Sequence, residues 1–127
     1  MAGRAQVEPN PDKAFDLARQ SGKKILLIFS GSDWCIPCIR LEKNILTDTA
    51  FLQFAKERLV IVEADFPQRK KIPPPLKVQY ETLAGRFNME GSFPKIVLLA
   101  ADQSLVCVLS YTSQSAAAFI EELREKL

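Results

Sequence analysis

A continuous apolar run, Ile25-Leu26-Leu27-Ile28-Phe29, is separated by only Ser30-Gly31-Ser32-Asp33 from the stretch Trp34-Cys35-Ile36-Pro37-Cys38. The run is apolar at odd and even positions alike and too short for a helix between its breakers, so it reads as a central strand covered on both faces. The cysteine-bearing stretch reads as the start of a helix. A buried strand that runs out into a cysteine pair calls for helices on both faces of a sheet, with the chemistry at the carboxyl end of that strand.

The remaining pattern fills in this frame. Asn10-Pro11-Asp12 opens a first helix with a capping side chain, a proline at the first helical position and an acid near the positive end of the dipole; Ser21-Gly22 closes it. Apolar residues from Ile39 to Ala55 recur at helical spacing, as one long helix or as two with Asp48 or Thr49 as an internal cap. Residues 59–66 alternate as a second strand that places Glu63 and Asp65 on one face. Residues 67–77 are basic and then proline-rich, an extended connection that is either a plain solvated loop or a specificity loop beside the site. A helix over 78–87, strands over 94–101 and 105–111 paired as an antiparallel hairpin, and a last helix capped by Ser113 or Ser115 complete the chain.

The expected order is helix, strand, helix, strand, helix, strand, strand, helix: an α/β fold with a central mixed sheet and helices on both faces. Residues 1–10 read as a lead-in with a poorly ordered start, and 11–127 as a single domain. At 127 residues, with 47% hydrophobic and 25% charged content, the chain can bury one core without disulfide staples. A net charge of +2 gives no global attraction to nucleic acid or to an acidic membrane surface. The longest apolar runs, 25–29 and 96–101, fall far short of the ~20 residues of a membrane-spanning helix. The N-terminus shows no apolar core of a secretory signal, so the expected compartment is the cytoplasm, or the periplasm where a leader has been removed.

The cysteines carry the chemistry. A cysteine in the first turn of a helix lies near unpaired N–H groups and the positive end of the helix dipole, which favour the thiolate, and this makes Cys35 the expected nucleophile. Cys38, three residues on, lies on the adjacent turn and can resolve a mixed disulfide formed at Cys35. Pro37 restricts the backbone between them, and Trp34 offers apolar cover for a substrate peptide. A zinc reading of the same pair needs two further ligands, yet the chain has no histidine and only Cys107 besides, which leaves a site shared between two chains as the one metal alternative. Cys107, within Leu105-Val106-Cys107-Val108-Leu109, is expected to be a buried small hydrophobe, and Phe51, Phe54, Phe87 and Phe119 to be core residues.

A strand running into Trp-Cys-x-x-Cys, a helix from the second cysteine and, much further on, a proline opening a hairpin strand resemble the thioredoxin family over residues 11–127. The bacterial thioredoxin-like members that carry Gly-Ser-Asp-Trp-Cys before the site, as at Gly31 to Cys35 here, resemble it most. The resemblance implies a three-layer thioredoxin-like fold and places Phe93-Pro94 at the family's cis-proline, which faces the cysteine pair and helps hold substrate backbone. It also implies a buried acid in the strand before the motif, to exchange a proton with the resolving cysteine. Here that strand is wholly apolar, so Glu63 or Asp33 is the candidate proton acceptor.

The expectation is therefore a thiol–disulfide oxidoreductase that reduces or isomerises protein disulfides through Cys35 and Cys38, with Trp34, Ile36, Pro37, Phe93 and Pro94 holding substrate. It needs no cofactor beyond its own dithiol and is expected to be a monomer served by a separate electron donor, with no nucleic-acid or membrane partner. The rival is a redox-inactive, chaperone-like module that uses the rim of Trp34, Ile36 and Phe93 to hold peptide.

Overall fold

The computed structural model describes residues 7–127. Its elements are β1 (Val7–Glu8), α1 (Pro11–Ser21), β2 (Lys24–Ser30), α2 (Ile36–Asn44), α3 (Thr49–Arg58), β3 (Leu59–Asp65), α4 (Pro74–Phe87), β4 (Lys95–Leu99), β5 (Leu105–Leu109) and α5 (Ala116–Arg124). The sheet has the order β1-β3-β2-β4-β5. β1, β3 and β2 run parallel, β4 runs antiparallel to β2, and β5 antiparallel to β4.

β2 is central, and residues 25–30 are all buried, as its unbroken apolar run requires. Its side chains alternate between two cores. Leu26 and Ile28 join Leu41 of α2, Phe51 and Phe54 of α3, and Phe119 and Leu123 of α5. Ile25, Leu27 and Phe29 join Ala14, Phe15 and Ala18 of α1 and Tyr80 and Leu83 of α4. Three layers result, with the sheet between α1 and α4 on one side and α2, α3 and α5 on the other.

Local signals explain several element ends. The Asn10 side chain accepts from the N–H groups of Asp12 and Lys13, and Gly22 ends α1 at a φ of 73°, a left-handed conformation that glycine adopts without a steric penalty. Asp48 caps α3 through Phe51 N–H, so the helical stretch after Cys38 is two helices. Ser115, not Ser113, caps α5.

Other ends differ from the sequence reading. Val7–Glu8, inside the expected lead-in, forms a short strand paired with Ile61 and Val62 of β3. The remainder of that lead-in up to residue 6 lies outside the described residues. The expected extended run over 67–77 is not found: residues 68–70 bend so that three successive N–H groups meet the Asp33 carboxylate, and Pro74 and Pro75 occupy the first turn of α4, where their missing N–H groups would have had no intrahelical partner. Cys107 is half-buried on the edge strand, not buried, because β5 has a sheet neighbour on one side only. Glu63 stands on an inner strand, flanked by β1 and β2, and is half-buried.

Candidate active site

β2 delivers the chain to the carboxyl end of the sheet, where a turn over residues 31–34 reverses it into α2. Trp34 and Cys35 donate their N–H groups to the Gly31 carbonyl at 3.1 and 2.8 Å. A Cβ on Gly31 would overlap the Trp34 indole, so glycine lets the ring lie against the turn. Cys35 is the N-cap of α2, with Pro37 in the first turn. Its sulfur is joined to that of Cys38 in a disulfide, with the two Cα atoms 5.2 Å apart. The Cys38 N–H donates to Cys35 Sγ at 3.3 Å, so an unpaired helix-terminal donor faces the sulfur on which charge would develop.

The pair is shielded: Cys35 is 5% exposed and Cys38 4%. Around it the surface is apolar and open, with Ile36 61% and Ile39 46% exposed. Trp34 is half-buried, and its Nε1 donates to the Phe66 carbonyl at 2.7 Å. The Phe93 ring meets Trp34 edge-on at 5.5 Å and Phe66 at 5.7 Å, and Phe66 in turn meets Tyr80 at 6.3 Å. The Phe93–Pro94 peptide bond is cis. Register places Lys95 opposite Phe29, so Pro94 sits at the end of β2 from which the Cys35 turn departs. The turn before it is tied by Asn88, which is buried: its Nδ2 donates to the Ser92 carbonyl at 2.9 Å and its Oδ1 accepts from Ser92 N–H at 3.0 Å.

A second loop, over residues 66–73 between β3 and α4, is fastened to the same turn. Asp65 accepts from the Ser32 N–H at 2.9 Å and the Ser32 hydroxyl at 2.6 Å, and lies 3.6 Å from Lys70 Nζ. Phe66 N–H donates to the Ser30 carbonyl at 2.8 Å. The Asp33 carboxylate accepts three successive N–H groups, from Gln68 at 2.9 Å, Arg69 at 2.8 Å and Lys70 at 3.1 Å. These bonds, Gln68's first, hold the Asp33 carboxyl below the ordinary carboxylate range against an opposing cost of desolvation, with the Arg69 charge adding to them.

The structure thus gathers Trp34, Cys35, Ile36, Pro37, Cys38, Phe93 and Pro94 around one end of β2. Asp33 is turned toward the 66–73 loop, with both carboxylate oxygens engaged there. Glu63 lies opposite Ile28 in register, on the face covered by α2, α3 and α5. Gly31, Ser32, Asp65, Phe66 and Asn88 also build the site, although their sequence pattern does not mark them as site residues. The Gly-Ser-Asp run before Trp34 was the available signal, since small and turn-forming residues there imply a tight, hydrogen-bonded reversal. Among the described residues, no group of three or more His, Cys, Asp or Glu is placed to hold a metal ion, and no helix is long and apolar enough to cross a membrane.

The sequence matches the family described as Thioredoxin-like over residues 6–104. The chain belongs to the thioredoxin-like family. Within that family it is similar to the disulfide bond reductase DsbH of Chlamydia pneumoniae, with 30% identity over 91% of this chain and 69% of the relative. It is also similar to the thioredoxin-related protein DsbJ of the same organism, with 25% identity over 72% of this chain but only 26% of that longer protein. A solved DsbH oxidoreductase superposes with a TM-score of 0.91 at 29% identity, over 99% of this chain and 86% of that one. A Thermus thermophilus thioredoxin shares the fold, with a TM-score of 0.68 at 21% identity over 98% of this chain and 87% of that one. With an intact Cys35–Cys38 pair, this thioredoxin-like chain is a thiol–disulfide oxidoreductase.

Proposed function

We propose that the protein acts as a reductase of protein disulfides, with Cys35 attacking and Cys38 resolving. The observation that carries the assignment of roles is Cys35 at the N-cap of α2, its sulfur receiving the Cys38 N–H. A thiolate there is favoured by that donor and by the helix dipole, whereas the Cys38 sulfur lies a turn further along the helix. The Cys35 thiolate attacks one sulfur of the substrate disulfide, forming a mixed disulfide and releasing the other sulfur as a thiolate. Cys38, deprotonated, then attacks Cys35 Sγ; the Cys35–Cys38 disulfide forms and the second substrate sulfur leaves. Two electrons pass to the substrate, and a separate dithiol donor must return them.

Reduction in preference to isomerisation is supported by the likeness to a protein named as a disulfide bond reductase. The exposed Ile36 and the half-buried Trp34 and Phe93 offer an apolar seat for substrate backbone beside Pro94. The proton acceptor for Cys38 in this reading is Glu63, because both Asp33 oxygens are taken by the 66–73 loop. The couple works without a cofactor, in a monomer, and the relatedness to Dsb proteins favours a periplasmic site of action.

The test is insulin reduction driven by dithiothreitol, read as turbidity, together with the reduction potential of the Cys35–Cys38 couple against glutathione. Turnover lost in Cys35→Ser and a potential in the reductase range, about −270 mV, support the reading. Equal turnover by wild type and Cys35→Ser would end it, and a potential of about −120 mV would make the protein an oxidant instead. A Glu63→Gln variant whose rate–pH profile matches wild type would remove the proton-acceptor assignment alone.

A further inference from the structure

The reductase reading leaves unused the cationic 66–73 loop. Between residues 67 and 80 the chain carries Arg69, Lys70, Lys71 and Lys77 and no acid, a local charge of +4 in a protein whose net charge is +2. All four are exposed. Lys70 leans on Asp65 at 3.6 Å, while Arg69, Lys71 and Lys77 make no ion pair among the described residues. Like charges so concentrated repel one another, and a free loop would spread to relieve this. Here the main chain is pinned by the three N–H groups bound to Asp33 and by Phe66, whose N–H is held by the Ser30 carbonyl at the end of β2 and whose carbonyl is held by Trp34 Nε1. The cations are thus held beside the site.

Three of them, Lys70, Lys71 and Lys77, line a cavity of about 480 Å³ together with the half-buried Phe66, Pro67 and Ile72, which supply its apolar floor, and the exposed Pro74. Its apolar floor is continuous with the site, because the Phe66 ring touches Phe93 and Phe93 touches Trp34, the residue before Cys35. A ligand suited to it offers carboxylates to the rim and an apolar side chain to the floor, and its own disulfide must reach Cys35. The concave shape fits a side chain projecting from a peptide better than the flat surface of an anionic bilayer.

We propose that this cavity is a specificity site for the acidic, partly apolar segment that flanks the target cysteine of a protein substrate or redox partner. The inference rests on the reductase reading and adds to it which disulfides are chosen. Charges on such a rim act mainly on encounter and on KM, and screening by salt weakens them.

The experiment uses three peptides of equal length, each closed by one disulfide and flanked on one side by Asp-Leu-Glu, Ser-Leu-Gln or Lys-Leu-Lys. The reduced protein is mixed with each at low and at high salt, and kcat and KM are measured. Each exposed charge pair contributes modestly, so the acidic peptide is expected to exceed the neutral one by about five- to tenfold in kcat/KM, through KM, at low salt. The basic peptide should be poorest, and salt should compress the series. Lys71→Gln/Lys77→Gln should narrow the acidic-to-neutral ratio to about twofold, whereas Lys13→Gln, on the exposed side of α1, should leave the ratio as it is. Binding of a rhodamine-labelled acidic peptide with serines in place of its cysteines, followed by anisotropy, tests the surface separately from the chemistry. Failure to reduce any peptide, with binding of this analogue intact and sensitive to Lys71 and Lys77, would overturn the reductase reading and keep the site. Equal kcat/KM for the three peptides, no binding of the analogue, or preferential binding to phosphatidylglycerol vesicles would each overturn the proposal.

Discussion

The carboxylate of Asp33 accepts the main-chain N–H of Arg69 at 2.8 Å, joining the turn before Cys35 to a loop 36 residues further along the chain. With Gln68 and Lys70 on the same carboxylate, this contact makes two loops from neighbouring parallel strands into one unit. The mouth of the dithiol site is therefore built from both strand ends, as expected where sites collect at the carboxyl edge of a parallel sheet.

Replacing Asp33 by alanine should free the 66–73 loop. Amide exchange at Gln68, Arg69 and Lys70 is expected to quicken by at least about tenfold while that of β2 holds. The pH dependence comes from the lowered carboxyl, led by the Gln68 bond. A depressed acid contributes its stabilisation above its unfolded pKa and loses it as pH falls through the folded one, so wild-type exchange at these three amides should approach that of the variant only under acidic conditions, below the usual carboxylate range. Exchange at Gln68 that is equal in the two proteins at neutral pH would mean the carboxylate does not hold the loop.

This clasp also shows where sequence reasoning stops. The buried β2 run, the Asn10-Pro11 helix start and the helix-opening cysteine pair are local patterns, and each is legible in residues adjacent to it. The partners of Asp33 lie 35 to 37 residues away and are main-chain N–H groups, which leave no mark on side-chain identity. β1 escaped for a related reason: two residues have no period, and only pairing with Ile61 and Val62 makes them a strand. Pro74 and Pro75 suggested extension because proline excludes a helix interior, yet the same fixed φ suits a helix's first turn.

Removal of the resolving thiol should separate the two chemical steps. In Cys38→Ser the Cys35 thiolate can still open a substrate disulfide, but nothing remains to displace the substrate from Cys35. A covalent protein–substrate adduct is expected on non-reducing gels, dissolved by dithiothreitol, with multiple-turnover reduction down by at least about 100-fold. Cys35→Ser should form no adduct. If the adduct forms through Cys38 instead, the roles are reversed.

Gly31→Ala tests the packing of the turn. The added methyl would overlap the Trp34 indole, and that ring holds both the Phe66 carbonyl and the edge of Phe93. Displacing it should cost about 1–3 kcal/mol, as overpacking does, and lower thiol–disulfide oxidoreductase activity by about tenfold through misplacement of the proposed peptide seat. Trp34 is the single tryptophan, so its emission reports the move directly. An unchanged emission maximum with full activity would show that the turn accommodates a side chain.

Tyr80 links the far end of the aromatic string to the start of the chain. Its hydroxyl donates to the Pro9 carbonyl at 2.6 Å, and its ring meets Phe66. Burial, with the charges of Glu63, Asp65 and Glu8 adding to it, pushes its pKa from 10.0 up to about 12. Tyr80→Phe should cost about 1 kcal/mol at neutral pH, the loss of a part-buried hydrogen bond to the exposed Pro9. The gap should not be constant. Because the folded pKa lies above the unfolded one, the phenol's contribution is complete below pH 10 and is lost as pH rises toward 12, while the phenylalanine variant has no such titration. Urea midpoints at pH 8 and pH 11 should therefore converge for the two proteins at the higher pH, and a difference that stays the same at both would show that Tyr80 ionises as an exposed phenol does.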